Sequence, residues 1–395
     1  MVFLLTQPKF RVLMVAACPF PYPRGTPVRI LRMAETMASL GHEVHVATYH
    51  LGQTDLPLSF QVHRIANLKF YDKVTPGPTY FKVFVLDFLL ALNVISLVRR
   101  YKFDLVHAHH YEGLLTALPL RLLTRLPIIF DSHTLLEGEL PFYDLHLGRN
   151  LKRRVGLWLD KTMPHLAHHV IAVSESIGRW YIEHAALPPE KLSIIPSGVE
   201  VEHFSRAAQS NQHQGIILGF SGNAAEYQGV EYMLRAFHRL NRRYADIALH
   251  LYSSDDFSAY DDLIETLGIR ERIRIIPTEF ANLPERLAEA DILLNPRWSG
   301  DGYPLKLLNY MAAGKAVVSF RGTAHDLRHM ETGWIVEQPD PEAFAEGIQY
   351  LIDRPDLRRR LGQNARQFVE QHFTWRLRGI ALTDLYARLS GRSGR

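Results

Sequence analysis

The chain has 395 residues, of which 47% are hydrophobic and 22% charged, and carries a formal net charge of +4. That length exceeds the roughly 250–300 residues that one core serves, and the composition excludes a disordered or fibrous chain. A single cysteine, Cys18, excludes an internal disulfide, and Lys and Arg are too dispersed to argue for a nucleic-acid partner.

Residues 1–9 are too few to hold a signal peptide ahead of the first strand, so the expectation is a chain that works in the cytoplasm. Short β-rich runs at Arg11–Ala17, Glu43–Thr48, Leu105–Ala108, Pro127–Phe130 and Val170–Val173 alternate with helical patterns. Phe81–Val98, the most lipid-like stretch, is interrupted by Lys82, Asp87, Asn93 and Ser96, so it falls short of the roughly 18 apolar residues of a spanning helix and reads as a buried or interfacial one. A second series follows at Ile216–Phe220, Ala248–Tyr252, Ile273–Ile276, Ile292–Asn295 and Ala316–Ser319. The alternation is the pattern of βαβ units.

The polar segment Ser205–Gln214 between the two series has too few apolar residues to pack and reads as the linker. The predicted architecture is therefore α/β, with two Rossmann-like doubly wound parallel-sheet domains facing a cleft. Residues 1–205 form the first and 206–375 the second, and 376–395 are a helix returning to the first. In such sheets ligands bind beyond the carboxyl ends of the strands, where strand order reverses.

Three segments carry candidate chemistry. In PYPRGTPVRILRMAETMASLGHEV, Gly25 and Thr26 sit between a strand and an amphipathic helix, where a small residue lets backbone N–H groups approach a ligand. His107, His109, His110 and His133 lie at predicted strand ends; they lack a recognised zinc-ligand spacing, and His107 and His110 read as structural. In NPRWSGDGYPLKLLNYMAAGKAVVSF, a Gly/Pro turn leads into a helix beginning near Leu305 and closing at Gly314. The free N–H groups and dipole of that helix would suit a diphosphate, with Asp301, Lys306 and Asn309 clustered at its start. Asp255–Asp256 and Asp261–Asp262 read as helix-capping acids rather than metal ligands.

Taken together, RVLMVAACPFPYPRGTP, GHEVHVAT, FDLVHAHH, VIAVSES, KLSIIPSGVEVEHF, GFSGNAAEYQGVEYMLRAF, DGYPLKLLNYMAAGKAVV and the terminal HFTW resemble the retaining glycosyltransferase family 4, over nearly the whole chain. The resemblance implies the GT-B fold and transfer of a sugar from a nucleotide diphosphate-sugar to a hydroxyl acceptor, with no metal and no other cofactor. It places Asp301 near the sugar hydroxyls, Asn309 at the ribose, and the backbone around Gly302, Tyr303, Leu305 and Leu307 at the sugar and phosphates. His133 would contact the donor sugar, and Gly25 and Thr26 would approach the diphosphate. Ser197 and Glu200 stand where the common family form has asparagine and aspartate.

In many relatives an arginine and a lysine from the first turn of the second domain hold the diphosphate. Here that turn, which includes Gly222, offers Asn223 and Gln228 instead. This N-x4-Q-G pattern, paired with the K-L-x-N of Lys306 and Asn309, resembles a branch of the family in which the lysine would supply the missing charge. Arg297 and Arg321 are candidates to assist it. A basic amphipathic segment, LGRNLKRRVGLWLDKTM, suggests peripheral membrane contact and a lipid-linked or cell-envelope acceptor. A nucleotide-sugar epimerase or a non-catalytic nucleotide-sugar binding protein on the same fold are the alternatives.

Overall fold

The computed structural model describes residues 8–22, 25–74, 77–143, 145–207, 215–279, 281–298 and 305–391. The chain divides into two compact units, Met1–Ser197 with Trp375–Arg395, and Gly198–Thr374.

Among the described residues of the first unit, seven parallel strands run β1 (Arg11–Ala16), β2 (Glu43–Thr48), β3 (Gln61–Arg64), β4 (Leu105–His109), β5 (Ile128–Ser132), β6 (His169–Ala172) and β7 (Leu192–Ile194). Their order in the sheet is β3-β2-β1-β4-β5-β6-β7, so the direction of winding reverses between β1 and β4. Period-2 alternation buries both faces of β1. Leu13 and Val15 enter one apolar layer with Leu90, Val94 and Leu114, while Val12, Met14 and Ala16 enter another with Ile30, Met33 and Met37.

The C-terminal helix Trp375–Leu389 belongs to this unit and adds Leu382, Leu385 and Tyr386 to the second layer. Burying side chains of this size stabilises by ~1.5–3 kcal/mol each. The helix is tied to the sheet by polar contacts too: Tyr386 Oη lies 2.7 Å from His107 Nδ1, and Thr383 Oγ1 2.9 Å from His42 Nε2.

The second unit repeats the plan with β8 (Ile216–Ser221), β9 (Ile247–Tyr252), β10 (Ile273–Ile276), β11 (Ile292–Asn295), β12 (Ala316–Phe320) and β13 (Trp334–Val336), again all parallel. The order β10-β9-β8-β11-β12-β13 puts its reversal between β8 and β11.

The division falls at Ser197–Gly198 rather than within the polar segment after residue 205. The reason is packing: Val199, Val201 and Phe204 are buried in the second unit's core with Leu307, Met311 and Phe373. Ser205–Ala207 continue the helix Val201–Ala207, and the rest of the proposed linker lies outside the described residues. The edge strands β3, β7 and β13, of three or four residues, escaped the sequence reading because runs so short show no period of their own.

Candidate functional site

Both reversal points carry the residues of interest. In the first unit, helix Gly25–Ser39 follows β1, and a Cβ built on Gly25 would meet no protein atom within 4 Å. Packing within the protein therefore does not demand glycine there, whereas close approach of a ligand would. Thr26, the next residue, places Oγ1 3.1 Å from Nδ1 of His133, just beyond β5.

His133 belongs to a buried polar hub centred on Asp131, the penultimate residue of β5. Arg29 grips that carboxylate with both arms, Nε to Oδ2 at 3.1 Å and Nη2 to Oδ1 at 3.0 Å. Around Oδ2 also stand His109 Nδ1 at 3.1 Å, His133 Nε2 at 3.3 Å and His107 Nε2 at 3.6 Å. Arg29 further donates to Ser197 Oγ and to the carbonyl of Ile195. Burial raises the Asp131 pKa, but the Arg29 guanidinium and the histidines hold it well below the usual carboxylate range. Burial lowers His133 to about 4 against the pull of Asp131, so its ring is neutral at pH 7.

His107, His109 and Asp131 bring possible ligand atoms within 4.8 Å of one another. A cation there would face the Arg29 guanidinium, which already neutralises the carboxylate, so this set does not suit a metal. His107 pairs through Nδ1 with Tyr386 while its buried Nε2 makes no hydrogen bond among the described residues, and His110 pairs with Glu112 at 2.6 Å. Nothing in the spacing of the sequence revealed Arg29, whose partner is 102 residues away.

In the second unit the loops after β8 and β11 meet. Gly229, at φ +72°, brings its backbone so near Pro296 that an added Cβ would lie 2.0 Å from the Pro296 carbonyl oxygen. Trp298 Nε1 donates to the Glu226 carbonyl at 3.2 Å, and the Arg297 guanidinium covers the Tyr227 ring. These contacts bring Gln228, on the β8 loop, to Lys306, the second residue of helix Leu305–Ala312. Lys306 Nζ donates to Gln228 Oε1 at 2.5 Å and lies 4.4 Å from the centroid of the Phe220 ring. A Cβ on Gly222 would stand 3.3 Å from the same ammonium. Burial, then the charge of Arg297, pushes the Lys306 pKa well below the usual lysine value.

The other predicted positions fall out differently. Asn223 is exposed and caps its own loop, its Oδ1 accepting from Ala225 N. Asn309 lies one turn beyond Lys306 and is partly exposed, as is Leu305. The Leu307 side chain is fully buried in the core, because the helix turns that position onto the sheet, so only its backbone is left to offer a ligand. Arg321 is paired with Glu337 at 2.6 Å on the surface, which leaves Arg297 as the basic neighbour of Lys306. Asp301, Gly302 and Tyr303 lie outside the described residues. Asp256 accepts from Ser258 N and Oγ, and Asp255 from Ala224 N on the β8 loop. Asp261 and Asp262 lie in the first turn of the helix Asp261–Leu267, whose N-cap is Tyr260 with no side-chain capping bond, so neither caps it as expected.

Comparison with known proteins converges on one class. A model of Glycosyltransferase Family 4 matches residues 23–203, and one of Glycosyl transferases group 1 matches residues 201–368. The chain is 25% identical to the D-inositol 3-phosphate glycosyltransferase of Corynebacterium glutamicum over 389 residues, covering 92% of this chain and 91% of that one. It is 25% identical to the phosphatidyl-myo-inositol mannosyltransferase of Mycolicibacterium smegmatis over 407 residues, covering 96% and 94%. Among solved structures, the sucrose-phosphate synthase of Thermosynechococcus elongatus superposes with a TM-score of 0.81 at 18% identity, over 98% of this chain and all of that one. Anabaena HepE, solved with UDP-glucose, gives 0.72 at 17% identity, over 96% of this chain and all of that one. With one family model taking over from the other to span residues 23–368, on two parallel-sheet units, the chain is a glycosyltransferase of the family 4/group 1 type with the GT-B fold.

Proposed function

We propose that this glycosyltransferase moves a sugar from a nucleoside diphosphate-sugar to a hydroxyl acceptor, with retention of configuration and without a metal ion. The observation that carries the reading is the convergence of Gly222, Gln228 and Lys306 beyond the carboxyl ends of β8 and β11, at the reversal of the second sheet. A half-buried ammonium with a neutral amide as its hydrogen-bond partner is a poor resting place for a charge. It becomes a favourable one when a diphosphate arrives.

In this reading the bond from the anomeric carbon to the β-phosphate oxygen breaks, and the acceptor oxygen bonds to that carbon on the same face. The acceptor proton passes to the departing diphosphate. Lys306 and the free N–H groups at the start of its helix stabilise the charge that develops on the leaving group. Asp301 at the sugar hydroxyls and Asn309 at the ribose complete the donor contacts, with backbone of Gly302 and Tyr303 between them. Thr26 and Asp131 fix the His133 ring, whose neutral state suits contact with an uncharged sugar.

Thermal-shift screening of UDP-, GDP- and ADP-sugars, followed by transfer assays with the best donor, tests the proposal. Stabilisation by a nucleotide sugar, α-product from an α-donor by NMR, and turnover that survives EDTA are expected. Loss of turnover in EDTA that magnesium or manganese restores would remove the metal-independent reading.

A further inference from the structure

Outside both sites, one surface of the first unit is exposed and apolar. The helical segment Lys82–Arg100 begins with a π-helical turn, Lys82–Leu86, and continues as an α-helix from Asp87. One side of it, Leu86, Leu90, Val94 and Leu97, is buried in the core. On another side Phe84, Phe88 and Leu92, spaced four residues apart, are 73%, 61% and 49% exposed. No requirement of the unit's own core explains two solvent-facing phenylalanines one turn apart.

A second helix, Arg149–Thr162, is built the same way. Leu151, Arg154, Trp158 and Lys161 follow one another at helical spacing and are all exposed, Trp158 by 63%. The segments leading into the two helices touch: the Tyr80 ring stacks on His146 at 6.3 Å, and Gly77 packs against the Tyr143 ring. Phe142, 76% exposed, lies beside them under the Arg149 guanidinium.

The charges on these helices are one-sided. Their acidic residues, Asp87 and Asp160, are both buried, whereas Arg99, Arg100, Arg149, Arg153, Arg154 and Lys161 are exposed. Glu137 takes Arg153 in an ion pair at 3.0 Å and leaves the rest of the row unneutralised by either helix. Aromatic and aliphatic side chains flanked by arginine and lysine, with no exposed acid on either helix, suit the headgroup boundary of an anionic bilayer, where rings bury and cations meet lipid phosphates. Among the described residues no helix is long and apolar enough to cross a membrane, so contact through this face would be peripheral.

We propose that the helices Lys82–Arg100 and Arg149–Thr162 together form a docking face for anionic lipid bilayers, which brings the enzyme to an acceptor carried in the membrane. The proposal goes beyond the donor chemistry and is tested without it. Purified full-length chain is floated with vesicles of phosphatidylcholine alone or with added phosphatidylglycerol. Flotation with the anionic vesicles, weakened by salt, is expected. The Phe84→Ser/Phe88→Ser double variant and Trp158→Ser should each lower the bound fraction at limiting lipid by roughly tenfold. Both variants should keep the wild-type melting temperature and the same stabilisation by donor, which separates failure of this face from failure of the sugar-transfer reading. No flotation with either vesicle, or flotation that these substitutions leave unchanged, would overturn the proposal. So would concentration-dependent dimerisation in sedimentation velocity that Phe84→Ser/Phe88→Ser abolishes while vesicles remain unbound, since the face would then belong to a second copy.

Discussion

Lys306 Nζ donates a 2.5 Å hydrogen bond to Gln228 Oε1, a side chain 78 residues earlier in the chain. In the proposed donor site, a neutral amide on the β8 loop and a single ammonium on the following helix would stand where the family resemblance leads one to expect an arginine and a lysine. Removing one preorganised donor to a developing anion costs ~2–4 kcal/mol of transition-state stabilisation. Lys306→Met should therefore cut turnover by roughly 30- to 1000-fold. Its melting temperature without donor should hold or rise, because folding pays to desolvate that ammonium. Arg321→Met, which breaks only the surface pair with Glu337, should leave turnover within about threefold. The reverse ranking in steady-state kinetics would show the charge to be assigned to the wrong residue.

Donor binding should take up a proton at Lys306. Burial and Arg297 lower its pKa in the free protein, while a bound diphosphate favours the charged form and raises it again. Affinity for a nucleoside diphosphate should consequently fall as pH rises from the depressed Lys306 pKa towards the ordinary lysine value. Calorimetry in buffers of different ionisation heat should show the uptake in the wild type and a smaller one in Lys306→Met. Equal uptake in the two would locate the titrating group elsewhere.

The buried histidines predict acid sensitivity of the fold. His42, His133 and His169 have pKa values lowered to about 4, and His109 to about 3, chiefly by burial. Each is therefore neutral in the folded chain at pH 5 and charged once unfolded. The unfolded state binds more protons, so stability rises with pH across this window and is lost as pH falls from about 6.5 towards 4. Each histidine should cost on the order of 1–2 kcal/mol at pH 5 relative to pH 7. Urea unfolding at the two pH values checks this, and His42→Gln should reduce the difference. A pH-independent midpoint would refute it.

Gly25→Ala separates a turn from a binding loop. The added methyl meets no protein atom, and alanine at a helix start relieves the glycine's entropy cost. The melting temperature should hold or rise by a degree or two. Turnover should nonetheless fall by about tenfold or more if a ligand approaches that backbone, because small displacements at reacting groups are costly. Unchanged kinetics would leave Gly25 as a turn residue alone.

How much of this was legible in the sequence depended on the range of the forces involved. The internal strands of both sheets were readable because each is a short run buried on both faces, and the helix at Leu305 because glycines and a proline precede it in the sequence and Gly314 closes it. The family was readable from motifs that follow one another in order along the chain. Of the edge strands, β10 was readable from its three isoleucines, but β3, β7 and β13 were not, since runs of three or four residues show too little pattern and are held by hydrogen bonding to a neighbour. Tertiary structure alone decided that Arg29 and Asp131 pair, that Leu307 turns into the core while Lys306 reaches Gln228, and that Phe84 and Phe88 face outward from a helix whose other side is core. A one-dimensional pattern states which residues are apolar or charged. Only the packing of distant segments decides which of them meet, which become buried, and what that burial does to their charge.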